Sequence, residues 1–186
     1  MSIVGTDRAD DQEPPERLEC VVLPHLDAAY TLARWLTKNE DDASDVVQDA
    51  CLRALRFAAG FKGVNSRAWF LSIVRNTAYT WLKARHSSEL ELLPDDAQIP
   101  SGGPGPDEAV LQALDLGELR AAIEELPAEF REVIVLREIQ ELSYDDVAKI
   151  AGIPIGTVMS RLARGRARLQ ARMARNEPGK GNGHGL

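Results

Sequence analysis

Hydrophobic residues recur along this chain at intervals of three and four, the repeat of one face of an α-helix. The clearest stripe lies in 42–59 and consists of Ala43, Val46, Val47, Ala50, Ala54 and Ala58. An earlier stripe, Leu18–Leu36, is expected to bend at Pro24. Either Asp41 or Asp42 is expected to cap the 42–59 helix. Because no β-branched run alternates with period two, the pattern predicts an all-α fold.

The same periodicity predicts helices in the rest of the chain. Ser66–Arg85 reads as a third helix, and Leu111–Leu126 and Ala128–Gln140 follow, separated by Pro127, a residue suited to a first helical turn. Two more helices come after them. Apolar residues make up 44% of the chain, which is enough for these helices to bury a core.

A segment rich in proline and glycine divides the helices into two groups. It contains the run PDDAQIPSGGPGP, which can neither continue a helix nor pack a core. We therefore predict two small helical domains, 16–90 and 108–175, joined by a flexible linker at 91–107. The acidic residues 1–15 and the glycine-rich residues 176–186 are predicted to be disordered tails.

Charge is segregated along the chain, although the net charge is −7. Residues 155–175 contain six arginines and no acid, and residues 66–88 contain four basic residues and no acid. Concentrated positive charge of this kind is typical of a nucleic-acid contact surface. The alternative, a solvated basic face, would tend to mix both signs of charge.

Targeting and cysteine signals are weak. The N-terminus has no apolar stretch of a signal peptide, and no segment is apolar enough to span a membrane, so we expect a cytoplasmic protein. Cys20 and Cys51 fit no paired metal-ligand spacing and are interpreted as small buried hydrophobic residues. We expect no metal or other cofactor.

Residues 143–175 carry the pattern of a helix-turn-helix. Ser143 and Asp146 resemble a capping box, and Gly152 provides the turn. The second helix is expected to begin at Ile155 and to bury that residue. Further residues expected to be buried are Val158 (or Met159), Leu162, Leu169 and Met173. The opposite face presents Thr157, Ser160, Arg161, Arg164 and Arg168. Arginine on such a helix suits phosphates and the edge of guanine in the major groove.

The 66–86 helix has two different faces. One is a core stripe: Phe70, Val74, Thr77 and Trp81. The other mixes aromatic, amide, hydroxyl and ammonium groups: Trp69, Ser72, Asn76, Tyr79 and Lys83. With Arg67, Arg75 and Arg85 it suits unpaired DNA, since bases stack on flat rings and phosphates attract cations. The residues alone leave open whether Trp69 and Tyr79 instead cover the bundle.

On the 42–59 helix, the outward stripe places an apolar residue among acids. Its members are Asp45, Gln48, Asp49, Leu52 and Arg56. This stripe fits either a solvated amphipathic helix or a partner-binding face.

Three segments together resemble a known family. They are DASDVVQDACLRAL (42–55), FKGVNSRAWFLSIVRNTAYTWLKAR (61–85) and LPAEFREVIVLREIQELSYDDVAKIAGIPIGTVMSRLARGRARL (126–169). In order and spacing they are similar to the sigma-70 family, and in particular to the small extracytoplasmic-function sigma factors. The resemblance implies a transcription initiation factor that binds core RNA polymerase, directs it to promoters and assists promoter melting.

The resemblance also implies residue roles. Docking on core polymerase would use Asp45, Gln48, Asp49 and Leu52. Capture of the melted minus-ten element would use Phe61, Lys62, Trp69, Asn76, Tyr79 and Lys83. Recognition of the duplex minus-thirty-five element would use Gly156, Thr157, Ser160, Arg161, Arg164 and Arg168. A cognate anti-sigma protein is a further implied partner.

Other classes of function remain to be weighed. A dimeric helix-turn-helix regulator would bind a palindromic duplex without polymerase. An enzyme is not predicted, because no nucleophile-base-acid set, phosphate-binding glycine loop or metal-ligand cluster is apparent. A pure protein-interaction module would leave the six-arginine helix unexplained.

Overall fold

The computed structural model describes residues 21–58, 61, 63, 65–89 and 108–176. All regular structure within these ranges is helical, which confirms the all-α prediction. Several predicted features lie outside the described residues: the tail 1–15, the linker 91–107, the tail after Asn176, Lys62 and Cys20.

The described residues form seven α-helices. These are α1 Leu26–Thr37, α2 Glu40–Ala58, α3 Ser66–Glu89, α4 Glu108–Glu125, α5 Ala128–Ile134, α6 Tyr144–Ala151 and α7 Ile155–Asn176. A 3-10 turn, Leu23–His25, precedes α1, and a π-helical segment, Val135–Ile139, follows α5. We refer to α1–α3 as the N-terminal domain and to α4–α7 as the C-terminal domain.

Small residues bring the helices of the N-terminal domain together. Ala43, Ala50 and Ala54 are fully buried on α2, as the period of 42–59 predicts. Short side chains at a helix contact allow a close approach of the two axes. Phe70 and Val74, also fully buried, supply the volume from α3.

Two helix starts differ from the sequence prediction. Pro24 lies in the 3-10 turn, so α1 begins after it instead of bending at it. Asn39 caps α2, because its Oδ1 accepts hydrogen bonds from the backbone N–H groups of Asp41 (2.8 Å) and Asp42 (3.0 Å). Asp41 and Asp42 instead contribute negative charge to the first turn, where it is favourable.

In the C-terminal domain, the predicted 128–140 helix is divided. After Ile134 the backbone widens into the π-helical segment, where Gln140 N–H donates to the carbonyl of Val135 at 2.9 Å. Pro127 is extended (φ −51°, ψ 143°) and stands at the N-cap of α5, one position before the predicted one. The widened turn carries Gln140 back against α1, where its Nε2 donates to the carbonyl of Ala28 at 3.3 Å.

Candidate nucleic-acid interfaces

The helix-turn-helix is formed by α6 and α7 as predicted. Ser143 Oγ accepts the backbone N–H of Asp146 at 3.1 Å and caps α6. Gly152 ends the helix with φ 66°, a conformation that favours glycine. Val158 is fully buried and fills the angle between the helices. The prediction for Ile155 was wrong: as the first residue of α7 it is 41% exposed, since the chain has not yet turned into the core.

The predicted minus-thirty-five residues lie along the outer side of α7. Ser160, Arg164 and Arg168 are exposed, as is Gly156, whereas Thr157 and Arg161 are half-buried. The guanidinium of Arg168 lies over the ring of Phe130, 5.1 Å from its centroid. Arg164 makes no ion pair with any described residue, so its charge faces solvent at the middle of the helix.

Three of the six arginines of α7 have acidic partners on other parts of the same domain. Arg161 pairs with Glu129 (3.4 Å), Arg166 with Glu138 (2.5 Å) and Arg172 with Glu125 (2.9 Å). The Arg172 hydrogen bond lowers the pKa of the exposed Glu125 carboxyl. A segment that contains no acidic residue in the sequence can therefore still have acidic side chains beside it on the folded surface. These pairs neutralise half of the arginines of α7, and the case for DNA binding rests on the remaining exposed cations.

At the start of α3, two predicted minus-ten residues contact each other. The rings of Phe61 and Trp69 lie 4.8 Å apart at an angle of 39°. A Cβ at Gly63 would lie 2.9 Å from the Phe61 ring, so a side chain at this position would displace the ring from its present place. Asn65 caps α3 through a hydrogen bond from the backbone N–H of Ala68 to its Oδ1 (3.0 Å). A ring pair and a cap thus place Phe61 and Asn65 against the start of α3.

The other predicted residues of this face are not all in the same environment. Asn76 and Lys83 are exposed and Trp69 is half-buried. Tyr79 is half-buried against the C-terminal domain, and its hydroxyl donates to Glu132 Oε2 at 3.3 Å. Burial, followed by the charge of Glu132, raises the pKa of Tyr79 to about 12.

Arg75, beside Tyr79 on α3, forms the shortest ion pair between the domains. Its Nε donates to Glu132 Oε1 at 2.6 Å, and its guanidinium lies over the Tyr79 ring, 4.5 Å from the centroid. Burial tends to lower the pKa of Arg75, but the hydrogen bond and charge of Glu132 outweigh it and raise that pKa. Only 1% of the Glu132 side chain is exposed.

Two further polar contacts lie along the same helix. Arg67 Nη2 donates to the backbone oxygen (3.0 Å) and to Oε1 (2.7 Å) of Gln140. Asn65 Nδ2 donates to Asp146 Oδ1 at 2.9 Å. Gln140 is buried, so its amide is committed to this contact between domains.

Glu132 is the residue that sequence reasoning missed. It stands beside Arg131 within the apolar run FREVIVL. Charged residues are seldom fully buried unless they are paired, so two charges inside an apolar run were the signal. Arg131 is explained within its own domain, since its Nη1 donates to the carbonyls of Glu124 (2.9 Å) and Leu126 (3.0 Å) at the end of α4.

The stripe that was predicted to dock on polymerase lies on the outer side of α2, where its side chains are exposed. Asp45, Gln48 and Asp49 are exposed, and Leu52 is 50% exposed. Leu55, one turn further and 36% exposed, was not singled out from the sequence and widens the apolar part of the stripe.

A metal centre and a membrane-spanning helix are both absent from the part of the chain that the structure describes. No group of three or more histidine, cysteine, aspartate or glutamate side chains is placed to hold a metal ion there. None of the described helices has the length and apolar character needed to cross a bilayer. Cys51 is half-buried, and burial raises the pKa of its thiol.

Comparison with known proteins links both domains to one family. Residues 21–87 match the family model of Sigma-70 region 2, and residues 116–169 match that of Sigma-70, region 4. The RNA polymerase sigma-H factor of Pseudomonas aeruginosa is 32% identical, and the match covers 84% of this chain and 90% of that protein. The ECF RNA polymerase sigma factor SigE of Mycolicibacterium smegmatis is 31% identical, over 91% of this chain and 66% of that protein.

A solved structure shares the fold. It is the sigma factor RpoE in complex with the anti-sigma factor NepR from Bartonella quintana. The TM-score is 0.66 at 30% sequence identity, and the match covers 87% of this chain and 97% of that chain. A dimeric regulator would need only the helix-turn-helix, so the match to both regions does not support that alternative.

Proposed function

Because this chain belongs to the extracytoplasmic-function group of the sigma-70 family, we propose that it is a transcription initiation factor that binds core RNA polymerase and directs it to specific promoters. The observation that carries the proposal is the combination in one chain of a helix-turn-helix and a second basic, aromatic helix, in the order of the two matched regions. Neither domain alone would read two promoter elements at a fixed spacing.

In the proposed complex, α7 reads the minus-thirty-five element as duplex DNA. Its exposed Ser160 and Arg164 suit base edges and phosphates in a major groove. Arg166 and Arg172 are paired with Glu138 and Glu125 and contribute little to recognition. Gly156 and Thr157, at the N-terminal end of α7, lie where a recognition helix approaches the bases most closely.

The start of α3 captures the melted minus-ten strand. The Phe61–Trp69 pair supplies flat rings for stacking, and exposed Asn76 supplies an amide that can hydrogen-bond a base. Unstacking a base costs a few kcal/mol, which stacking on a preformed ring pair helps to offset. Lys62 is also proposed to bind the minus-ten strand, and this assignment rests on the family resemblance alone.

Core polymerase docks on the outer side of α2. An exposed leucine beside Asp45 and Asp49 fits a partner surface with cationic and apolar groups. An anti-sigma protein is proposed as a further partner. This proposal is supported by the solved structure of a similar sigma factor, which is in complex with an anti-sigma factor.

Run-off transcription is the test of the proposed function. Purified core polymerase and a library of promoter fragments are incubated with and without the protein. We expect specific transcripts only when the protein is present, and their start sites reveal the promoter elements. Absence of any protein-dependent transcript, together with absence of core binding, contradicts the proposal.

The docking assignment has its own test. Asp45→Arg with Asp49→Arg reverses the charge of the α2 stripe and should weaken core binding at least about tenfold, as loss of buried interfacial charge does elsewhere. Asp27→Arg with Asp145→Arg is a matched control, because both residues are exposed acids outside the stripe. Equal affinities of the two double variants for core polymerase, measured by fluorescence anisotropy, would contradict the assignment of the α2 stripe to polymerase docking.

A further inference from the structure

A cavity of about 720 Å³ lies between the end of α1, the second half of α3 and α5. Four of the described residues that line it are basic and one is acidic: Lys38, Lys83, Arg85, Arg131 and Asp42. The acid is already engaged, since Asp42 Oδ2 accepts a hydrogen bond from Arg85 Nη1 at 2.6 Å. The cavity is therefore cationic, although the net charge of the chain is −7.

Arg131 is the buried cation of this cavity. Only 5% of the residue is exposed, and it forms no ion pair with any described residue. Its Nη1 donates to two backbone carbonyls at the end of α4, whereas its Nε has no hydrogen-bond partner in the described part of the chain. Burial lowers the pKa of Arg131. Because a buried guanidinium without an anion is unfavourable, an anion that reaches this wall of the cavity would be bound favourably.

Lys38 lines the same cavity from an unusual backbone conformation. It ends α1 with φ 62° and ψ 13°, the left-handed region in which glycine is preferred. Its ammonium group has no ion pair within the described ranges. Partial burial, followed by the positive charge of Arg131, lowers the pKa of Lys38, so the two cations lie close enough to repel each other. A glycine would satisfy this backbone better, so the charge of the lysine explains its presence better than the turn does.

The apolar part of the wall indicates what kind of anion fits. Leu36, Trp81 and Leu82 line the cavity beside the cations, and the volume is within the ordinary range of small-molecule sites. The Arg85 guanidinium lies over the Trp81 ring, 5.2 Å from its centroid, so an aromatic side chain and a cation meet on one side of the cavity. An inorganic anion alone would leave this wall uncovered. Adjacent phosphate groups on an organic ring would engage both the cations and the apolar side chains.

We propose that this cavity binds a small phosphorylated molecule of the nucleoside diphosphate class, with its phosphates between Lys38 and Arg131. Its ring would lie against Leu36, Trp81 and Leu82. Neither Lys38 nor Arg131 has a role in the proposed function, so this site is independent of promoter and polymerase binding. A DNA strand fits less well, because its successive phosphates are separated by sugars, whereas a diphosphate brings its charges to one point.

The experiment is isothermal titration calorimetry on the full chain. The ligands are ADP, GDP, inorganic pyrophosphate and a single-stranded DNA of mixed sequence. Lys38→Gln removes one cation, and Lys149→Gln is the matched control, because Lys149 is an exposed lysine outside the cavity. Lys38→Gly removes the same cation but relaxes the backbone at φ 62°, so thermal unfolding should show no loss of stability. Trp81→Phe tests the location, since quenching of tryptophan fluorescence by a bound nucleotide should shrink in this variant.

We expect at least one of the two nucleotides to bind more tightly than pyrophosphate, and both Lys38 variants to weaken its binding by about tenfold, as loss of one charge-assisted hydrogen bond does. Lys149→Gln should bind like wild type. Absence of nucleotide binding at millimolar concentration would overturn the proposal, as would equal losses in Lys38→Gln and Lys149→Gln. Pyrophosphate binding as tight as that of the nucleotides would contradict the role of the apolar wall. If only the DNA binds in a way that depends on Lys38, the cavity belongs to the strand and the proposal is wrong.

Discussion

Helices α3 and α7 are both basic and both assigned to DNA, yet their cations are held in different ways. Three arginines of α7 pair with glutamates of their own domain, while Ser160 and Arg164 of the same helix are exposed. Two arginines of α3, Arg67 and Arg75, instead reach across to Gln140 and Glu132 of the other domain, although Arg85 pairs with Asp42 of its own. Pairing within a domain presents a binding face permanently, whereas pairing between domains makes its exposure depend on domain arrangement.

The largest difference between the two helices should appear on removing one arginine from each. Arg75→Ala leaves the buried Glu132 carboxylate without its cation and should destabilise the protein by about 3 kcal/mol. Arg164→Ala removes an exposed charge and should change the free energy of unfolding by less than about 0.5 kcal/mol. Urea unfolding followed by tryptophan fluorescence measures both, and equal effects would remove the distinction.

A second comparison tests how α7 is held on its domain. A Cβ at Gly165 would lie 3.0 Å from Ile134 Cγ1, so Gly165→Ala should cost about 1–2 kcal/mol through overpacking. Gly156, on the same helix, has nothing within 4 Å of such a Cβ. Gly156→Ala should therefore stabilise by about 0.5–1 kcal/mol through helix propensity. Thermal unfolding of the two variants should give shifts of opposite sign.

The two asparagine caps separate local from interdomain effects. Asn39→Ala should cost about 1 kcal/mol, the usual value for a lost N-cap. Asn65→Ala should cost about 1 kcal/mol more, because it also loses the hydrogen bond to Asp146. Asn65→Asp keeps a capping oxygen but places a carboxylate against Asp146. If Asn65→Asp unfolds at the same urea concentration as wild type, the hydrogen bond between Asn65 and Asp146 contributes nothing to stability.

The smallest effect is confined to high pH. Tyr79 has its pKa raised to about 12 from an ordinary value of 10.0 by burial and by the charge of Glu132. Its contribution to stability is therefore fully present below pH 10 and is lost as the pH rises towards 12. Near-ultraviolet absorbance of tyrosinate should show a late step that Tyr79→Phe removes. In Glu132→Ala that step should move to lower pH.

The helices could be predicted from the sequence because each depends on its own periodicity and ends. The stripe of 42–59, the break at Pro127 and the turn at Gly152 are local signals, and the structure agrees with them to within a few residues. The cap of α2 was assigned wrongly because Asn39, Asp41 and Asp42 are all good caps, and only backbone geometry selects among them.

The domain contact could not be predicted in the same way. Arg67 and Arg75 have no acid near them in the sequence, so their charge favoured DNA, while their partners Gln140 and Glu132 lie more than fifty residues away. A charge pattern read along the chain reports only neighbours in sequence. The roles of Asn76 and Lys83 in DNA binding stay predictions, since exposure alone is compatible with them.

The π-helical segment Val135–Ile139 takes up one residue more between α5 and α6 than an α-helix would. A π turn holds one residue more than an α turn over the same stretch of axis. Deleting one residue there would therefore restore an α-helix and leave the chain after it in nearly the same orientation. Gln140 would stay opposite Arg67, and the helix-turn-helix would keep its place. The segment is thus a point at which related chains could gain or lose one residue without changing the angle between their two domains.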